Sequence, residues 1–420
     1  MTFAVAVHGT RGDVEPCTAV ALELVRRGHH VLMAVPPNLI QFVESAGLAR
    51  PLDYGVDSQK QLDADIFRDF WKLQNPMTAM RRGREYMTQG WAEMSETLAS
   101  LAIGADLILT GTTYQEVAAN VAEQQRVPLA ALHYFPFRAN SHMVPVPLPR
   151  LVLHRGWSMV EWVHWRILKK PEDAQRRALG LPQARVRSVR RIVESGALEI
   201  QAYDELFFPG LAEEWNGARP LVGSISLELP TPDDDDLDDW IAAGTPPIYF
   251  GFGSMPVESP AEAIAMITSV CAELGERALI SAGVWDVDAV PHADHVKLVG
   301  TVNHAKVFPA CEAVVHHGGA GTTAAGVRAG VPTVVLWVGA DQPVWATQIK
   351  RLKVGTAERF SKSTPESLAK ALRTVLTPDY RNRAREAAAR ITAPAKSTAQ
   401  TADLLELAAR RGSTSKSLPR

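Results

Sequence analysis

Residues 314–332 read VVHHGGAGTTAAGVRAGVP, and the order of events in that stretch decides the fold. A short apolar run ends in two histidines, glycines at 318, 319 and 321 let the backbone bend and approach a ligand, and Thr322 and Thr323 open a helix. Free amides, a helix dipole and hydroxyls that converge at the carboxyl end of a strand make an anion site suited to phosphate. The Gly-Lys-Ser/Thr ending of a Walker loop is absent.

The flanks repeat this grammar. Upstream, GFGSM (251–255) supplies a second glycine-rich strand end with Ser254 placed for hydrogen bonding, and two such loops in one sheet can embrace a diphosphate. Downstream, GADQPVWATQI (339–349) sets Asp341 and Gln342 after a strand, an adjacent acceptor and amide donor for neighbouring hydroxyls such as a sugar ring presents. RALISAG (277–283), HVKLVGTV (295–302) and PTVVLWVG (332–339) complete a set of short apolar runs bounded by Gly or Pro.

The first half of the chain has the same pattern in FAVAVH (3–8), HVLMAV (30–35), DLILTG (106–111) and PLAALHYF (128–135). Such runs are buried parallel strands linked by crossover helices, so the fold class is α/β with two doubly wound units in tandem. A length of 420 residues also exceeds what one core serves. The expected division is 1–220 for the first domain, 221–245 for an acidic, Pro-rich exposed connection, 246–395 for the second domain, and 396–420 for a carboxyl-terminal helix with a frayed basic tail, RRGSTSKSLPR.

Composition removes several classes. Lys+Arg number 44 against 46 Asp+Glu, which leaves no electrostatic footprint for nucleic acid. Cys17, Cys271 and Cys311 are too scattered for a disulfide framework or a zinc cage. No signal segment opens the chain and no run of eighteen apolar residues spans a bilayer, so a cytoplasmic location is expected, with any membrane contact peripheral. One segment departs from the pattern: LVLHRGWSMVEWVHWRILKK (151–170) carries Trp157, Trp162 and Trp165, and reads as a core-facing helix bordering an acceptor cleft, with an interfacial anchor as the alternative.

Near the amino terminus, HGTRGDVEP (8–16) runs from strand to helix with an acid, Asp13, in the turn. Local rules make Asp13 a helix cap with Pro16 in the first turn. A dinucleotide-binding turn is disfavoured: Gly9 and Gly12 do not form G-x-G-x-x-G, and an acid beside a pyrophosphate repels it.

HHGGAGT, followed by ADQP, preceded by GFGSMP, and with RGDVEP near the start, closely resembles the UDP-glycosyltransferase superfamily, the family 1 glycosyltransferases, in the bacterial branch that decorates glycopeptides, glycopeptidolipids and sterols. The likeness covers residues 1 to about 395. It implies a GT-B fold, two Rossmann-like doubly wound parallel-sheet domains facing across a cleft. The resemblance also implies an inverting, metal-independent transfer of a hexose or deoxyhexose from a UDP- or dTDP-linked donor to a hydroxyl of an apolar acceptor, with no cofactor. A catalytically silent helper of the same fold is the alternative.

Carried over by motif, His317, Gly319, Ala320, Gly321 and Thr322 contact the diphosphate with Ser254 assisting, His316 shares the work or packs, and Asp341 and Gln342 hold sugar hydroxyls. Where plant members stack a tryptophan on the base, this chain reads Thr301, Val302, Asn303, His304; where they have a ribose-gripping glutamate, it has Ala325. Many members place a histidine base in the first loop, and the matching residue is Asp13, a modest base able to accept the proton late in bond formation. On the acceptor side stand Arg11, His133 (a weaker candidate base) and Trp162, with Trp71, Met77, Met80, Tyr86 and Trp91 favouring an apolar or lipid-linked aglycone. His8 reads as the end of a buried strand.

Overall fold

The computed structural model of the protein describes residues 1–63, 84–143, 148–229, 234–253, 259–283 and 293–416. The chain forms two compact units. The first comprises Met1–Glu205, Pro209–Leu227 and Thr392–Arg420, and the second Leu206–Phe208 and Glu228–Ile391.

The first unit is built on six parallel strands: β1 (Thr2–Ala6), β2 (His30–Val35), β3 (Leu52–Asp53), β4 (Leu107–Thr110), β5 (Leu129–His133) and β6 (Leu198–Gln201), in the order β3-β2-β1-β4-β5-β6. Phe3, Ala4, Val5 and Ala6 of β1 are fully buried, as a central strand covered on both faces requires. Among its helices are α1 (Arg11–Arg26), α2 (Trp91–Leu101), α3 (Gln115–Gln125) and the 29-residue α4 (Arg150–Ala178). Helix α1 stops at Gly28, whose φ of 82° lies in the left-handed region that glycine enters without strain.

The second unit repeats the plan with β7 (Ile248–Gly251), β8 (Ala278–Ser281), β9 (Val296–Val299), β10 (Ala313–His316), β11 (Thr333–Trp337) and β12 (Gly355–Arg359), ordered β12-β11-β10-β7-β8-β9. Counted from β7, this is the same connectivity as in the first unit. Its helices include α5 (Pro260–Leu274), α6 (Ala320–Arg328) and α7 (Gln342–Leu352). In each sheet the strand order reverses beside the first strand, between β1 and β4 and between β7 and β10, and ligands of doubly wound sheets bind at the carboxyl ends there. The HGTRGDVEP turn follows β1 and the HHGGAGT turn follows β10, so both motifs sit at these points.

Two expectations are corrected. Part of the acidic connection is a helix, Asp234–Ala242, because Leu237, Trp240 and Ile241 pack into the second unit's core, while Asp236 and Asp238 pair with Lys297 and Lys306. The basic tail is not frayed at its start: α8 (Pro394–Lys416) continues into it as far as Lys416. Ala402, Leu405 and Ala409 of α8 are buried in the first unit, and Arg27 of α1 reaches Asp403 and Glu406 at 2.6 and 3.0 Å.

Candidate functional site

At the end of β10 the chain turns through His317 and Gly318 into α6, whose N-cap is Gly319. Glycine is dictated here by the His317 ring. A Cβ on Gly319 would stand 2.6 Å from His317 Nε2, and a Cβ on Gly253, after β7, would stand 3.0 Å from His317 Cε1. The imidazole therefore lies between two glycine backbones. Gly318 has φ 91°, and a Cβ there would meet Val335 at 2.7 Å. Gly321 faces open space in the first turn of α6, where the backbone N–H groups have no intrahelical acceptors. Thr322 is half-buried beside it, while Thr323 turns inward and donates its hydroxyl to the Gly319 carbonyl at 2.8 Å.

Both histidines are neutral at ordinary pH. Burial lowers His317 to about 4 with the nearby Gly251 carbonyl opposing the shift, its buried Nδ1 has no hydrogen-bond partner among the described residues, and burial with His317 and His304 nearby holds His316 well below its usual value. The Gly318 N–H donates to His316 Nδ1 at 2.9 Å, which places the ring proton on Nε2. That buried Nε2 has no hydrogen-bond partner among the described residues.

The second loop is brought against the first, since a Cβ on Gly318 would lie 3.4 Å from Gln342. Gln342 is buried and its Oε1 accepts the N–H groups of Val338 and Gly339 at 2.7 and 3.2 Å, which clamps the turn after β11. Asp341 caps α7 and accepts Trp345 Nε1 at 2.9 Å; burial raises its pKa above the ordinary carboxylate value against that bond. Trp345 is itself fixed edge-on by Phe207 and Phe208. Val302 is buried in the core rather than at a surface, and Asn303 caps a short turn in which His304 stacks on Phe308 with ring centroids 4.4 Å apart. Ser254 lies outside the described residues.

In the first unit, Thr10 is the N-cap of α1 and Asp13 the third residue of its first turn. Asp13 Oδ2 accepts the Thr10 N–H at 2.8 Å and its hydroxyl at 3.2 Å. Gly9 leaves room for this: at φ 145°, a Cβ there would fall 2.3 Å from Asp13 Oδ2. The Tyr134 hydroxyl donates to the Asp13 carbonyl at 2.7 Å, tying the turn to β5. Arg11 pairs with Glu15 at 3.1 Å and covers the Phe42 ring. His8 is buried, with Nε2 3.0 Å from the Val56 carbonyl oxygen, and burial lowers its pKa.

The remaining acceptor candidates separate. His133 is wholly buried between the amides of Gln115 (2.7 Å) and Gln201 (3.3 Å), and burial pushes it down to about 3. Trp91 is a core residue whose Nε1 donates to Gln175. Trp71, Met77 and Met80 lie outside the described residues. Of the tryptophan helix, Trp157 faces inward and donates to the Asn140 carbonyl at 2.9 Å, whereas Trp162 is half exposed. The sequence reading missed Thr10 and Tyr134. Thr10 was available from the Thr-x-x-Asp spacing, but Tyr134 owes its place to tertiary packing.

Among the described residues, no three His, Cys, Asp or Glu side chains lie close enough to hold a metal ion, and no helix is long and apolar enough to cross a membrane.

Comparison with known proteins agrees with this layout. Residues 3–144 match the glycosyltransferase family 28 N-terminal domain, and residues 270–407 match the erythromycin biosynthesis protein CIII-like C-terminal domain. An uncharacterized glycosyltransferase of Mycobacterium tuberculosis is 58% identical over 98% of this chain and 100% of its own length. Among solved structures, the calicheamicin glycosyltransferase CalG4 aligns with a TM-score of 0.69 at 18% identity over 98% of both chains. The glycosyltransferase VinC, in complex with dTDP, aligns at 0.66 and 16% identity over 98% of this chain and 100% of its own. The two six-stranded parallel sheets, the glycine turns at their switch points and a full-length relative at this identity together place the chain in the family 1 glycosyltransferases of the GT-B fold.

Proposed function

We propose that this chain is an inverting hexosyltransferase that moves a hexose or deoxyhexose from a UDP- or dTDP-linked donor to a hydroxyl of an apolar acceptor. The observation that carries the reading is the His317 imidazole seated between Gly253 and Gly319 at the start of α6. A neutral ring donor, open first-turn amides and the helix dipole suit a diphosphate that gains charge as its bond to the sugar breaks. The dTDP bound by VinC supports a nucleoside diphosphate donor.

On this reading the second unit holds the donor: His317, Gly319, Ala320, Gly321 and Thr322 meet the diphosphate, with Ser254 and His316 assisting, and Asp341 and Gln342 hold sugar hydroxyls. The first unit supplies the base. Asp13 takes the acceptor hydroxyl's proton, the oxygen bonds to the anomeric carbon with inversion, and the carbon–oxygen bond to the diphosphate breaks with its electron pair on the leaving group. Neither metal nor cofactor enters this scheme. The bonds from Thr10 hold the Asp13 carboxylate in one orientation before a substrate arrives. Arg11 and Trp162 belong to the acceptor side, and the apolar residues of the first unit favour an apolar aglycone.

Calorimetric titration with UDP and dTDP tests the donor assignment. Wild-type protein binds at least one of them, and His317→Ala weakens that binding tenfold or more, about 1.4 kcal/mol. Equal affinity in both proteins sinks the cradle.

A further inference from the structure

We infer that the outward face of α4 is a docking surface for an anionic phospholipid membrane. Of the eleven large apolar side chains exposed among the described residues, six fall within residues 148–162: Leu148, Leu151, Val152, Met159, Val160 and Trp162. Positions 152, 155, 159, 162, 166 and 170 recur at steps of three or four, which sets them in one stripe along the helix, and Leu148 lies just before its first turn. The stripe opens with apolar residues and carries Arg155, Arg166 and Lys170, all exposed and in no ion pair among the described residues. No acid occupies it.

The opposite face fixes this orientation. His154 binds Glu214 at 2.7 Å, His164 binds Glu116 at 3.1 Å, Leu168 is buried, and Arg176 reaches Glu123 at 2.7 Å. With its inner face pinned at both ends, the helix cannot roll to hide Met159, which is 69% exposed. A patch this apolar on a water-facing helix marks an interaction site.

Charge selects the partner. Residues 148–191 hold eleven Lys or Arg against three Asp or Glu; Lys169, Arg176, Arg187, Arg190 and Arg191 are paired with acids, whereas Arg150, Arg155, Arg166, Lys170, Arg177 and Arg185 are in no ion pair among the described residues. Leu, Val, Met and Trp at the level of headgroups, with arginine stems lying along the apolar surface and their heads among phosphates, is the arrangement of an interfacial helix. A second copy of the chain would bring the same positive field against itself, and an uncharged apolar molecule would have no use for the cations.

The inference does not depend on glycosyl transfer, so vesicle binding by the full chain tests it. Wild-type protein co-sediments with mixed phosphatidylcholine and phosphatidylglycerol vesicles, binds phosphatidylcholine vesicles far less, and is released by added salt. The double variant Arg155→Glu/Arg166→Glu loses about thirtyfold or more in binding, since losing each basic residue at an anionic surface costs roughly fivefold and the introduced acids add repulsion. Leu151→Ser/Met159→Ser loses tenfold or more, and both keep the wild-type thermal midpoint because the replaced side chains are exposed. The proposal is overturned by no binding of wild type to the mixed vesicles, by equal binding to both vesicle types, or by variants that bind like wild type. It is equally overturned if sedimentation velocity shows a dimer that Leu151→Ser/Met159→Ser dissociates while vesicles are ignored.

Discussion

Asp13 and Thr10 are joined twice, through the Thr10 N–H at 2.8 Å and the Thr10 hydroxyl at 3.2 Å, both onto the same carboxylate oxygen. The acid that local rules make a helix-capping residue and the acid that the family resemblance makes a base are thus one group whose orientation the cap sets. Thr10→Ala removes the hydroxyl but keeps the N–H. It lowers the thermal midpoint by an amount corresponding to about 1 kcal/mol, the usual worth of a capping side chain, and it slows turnover with donor affinity unchanged. Donor affinity that falls along with turnover contradicts this.

Gly319→Ala places a methyl group 2.6 Å from His317 Nε2 without replacing any side chain assigned to the ligand. The ring must shift. Binding of the nucleoside diphosphate weakens about tenfold by calorimetry, and because φ at this position is −63° and suits any residue, any fall in the thermal midpoint comes from the displaced ring and not from backbone strain. A variant that binds like wild type shows that the ring position is immaterial.

The pH dependence of donor binding separates a neutral from a cationic His317. A histidine that attracted diphosphate by charge would lose affinity as pH rises through the ordinary value of 6.5. Burial lowers His317 to about 4, so the ring is already neutral well below that point and loses no proton on crossing it. Affinity for the intact nucleotide sugar, whose diphosphate has no ionisation near neutrality, therefore stays flat from mildly acidic to mildly alkaline pH. A fall centred near 6.5 means that binding itself recharges the ring.

Asp341→Ala separates sugar from nucleotide. On the proposed reading its carboxylate meets hydroxyls of the sugar, so affinity for the nucleotide sugar drops about tenfold while that for the free nucleoside diphosphate is kept. Gln342→Ala behaves differently. It frees the turn held by Val338 and Gly339, and weakens both ligands. Identical losses of the two ligands in Asp341→Ala contradict the assignment.

The central strands were legible because burial on both faces leaves little but apolar residues: FAVAVH, HVLMAV and PTVVLWVG each contain a strand of the expected kind. The edges were not. β6 spans LEIQ, whose Glu199 and Gln201 are buried by bonding Arg138, Arg219 and Tyr203, so its alternation is polar where a core is expected. β12 spans GTAER and β3 only two residues, both at sheet edges where one side needs no apolar cover. The same logic holds at the site. HHGGAGT announces its turn because the close approach of backbone to the His317 ring demands glycine, but His133 and Val302 sit in a polar network and a core that no local pattern encodes.

Turnover and donor binding measured together on Asp13→Asn test the account most directly. The amide keeps the size and the bond from the Thr10 N–H but cannot take up the acceptor proton. The account predicts wild-type affinity for the nucleotide sugar and a loss of turnover of a hundredfold or more, in line with the usual worth of a general base. Unchanged turnover, with donor affinity also unchanged, would contradict it and leave Asp13 as a helix cap alone.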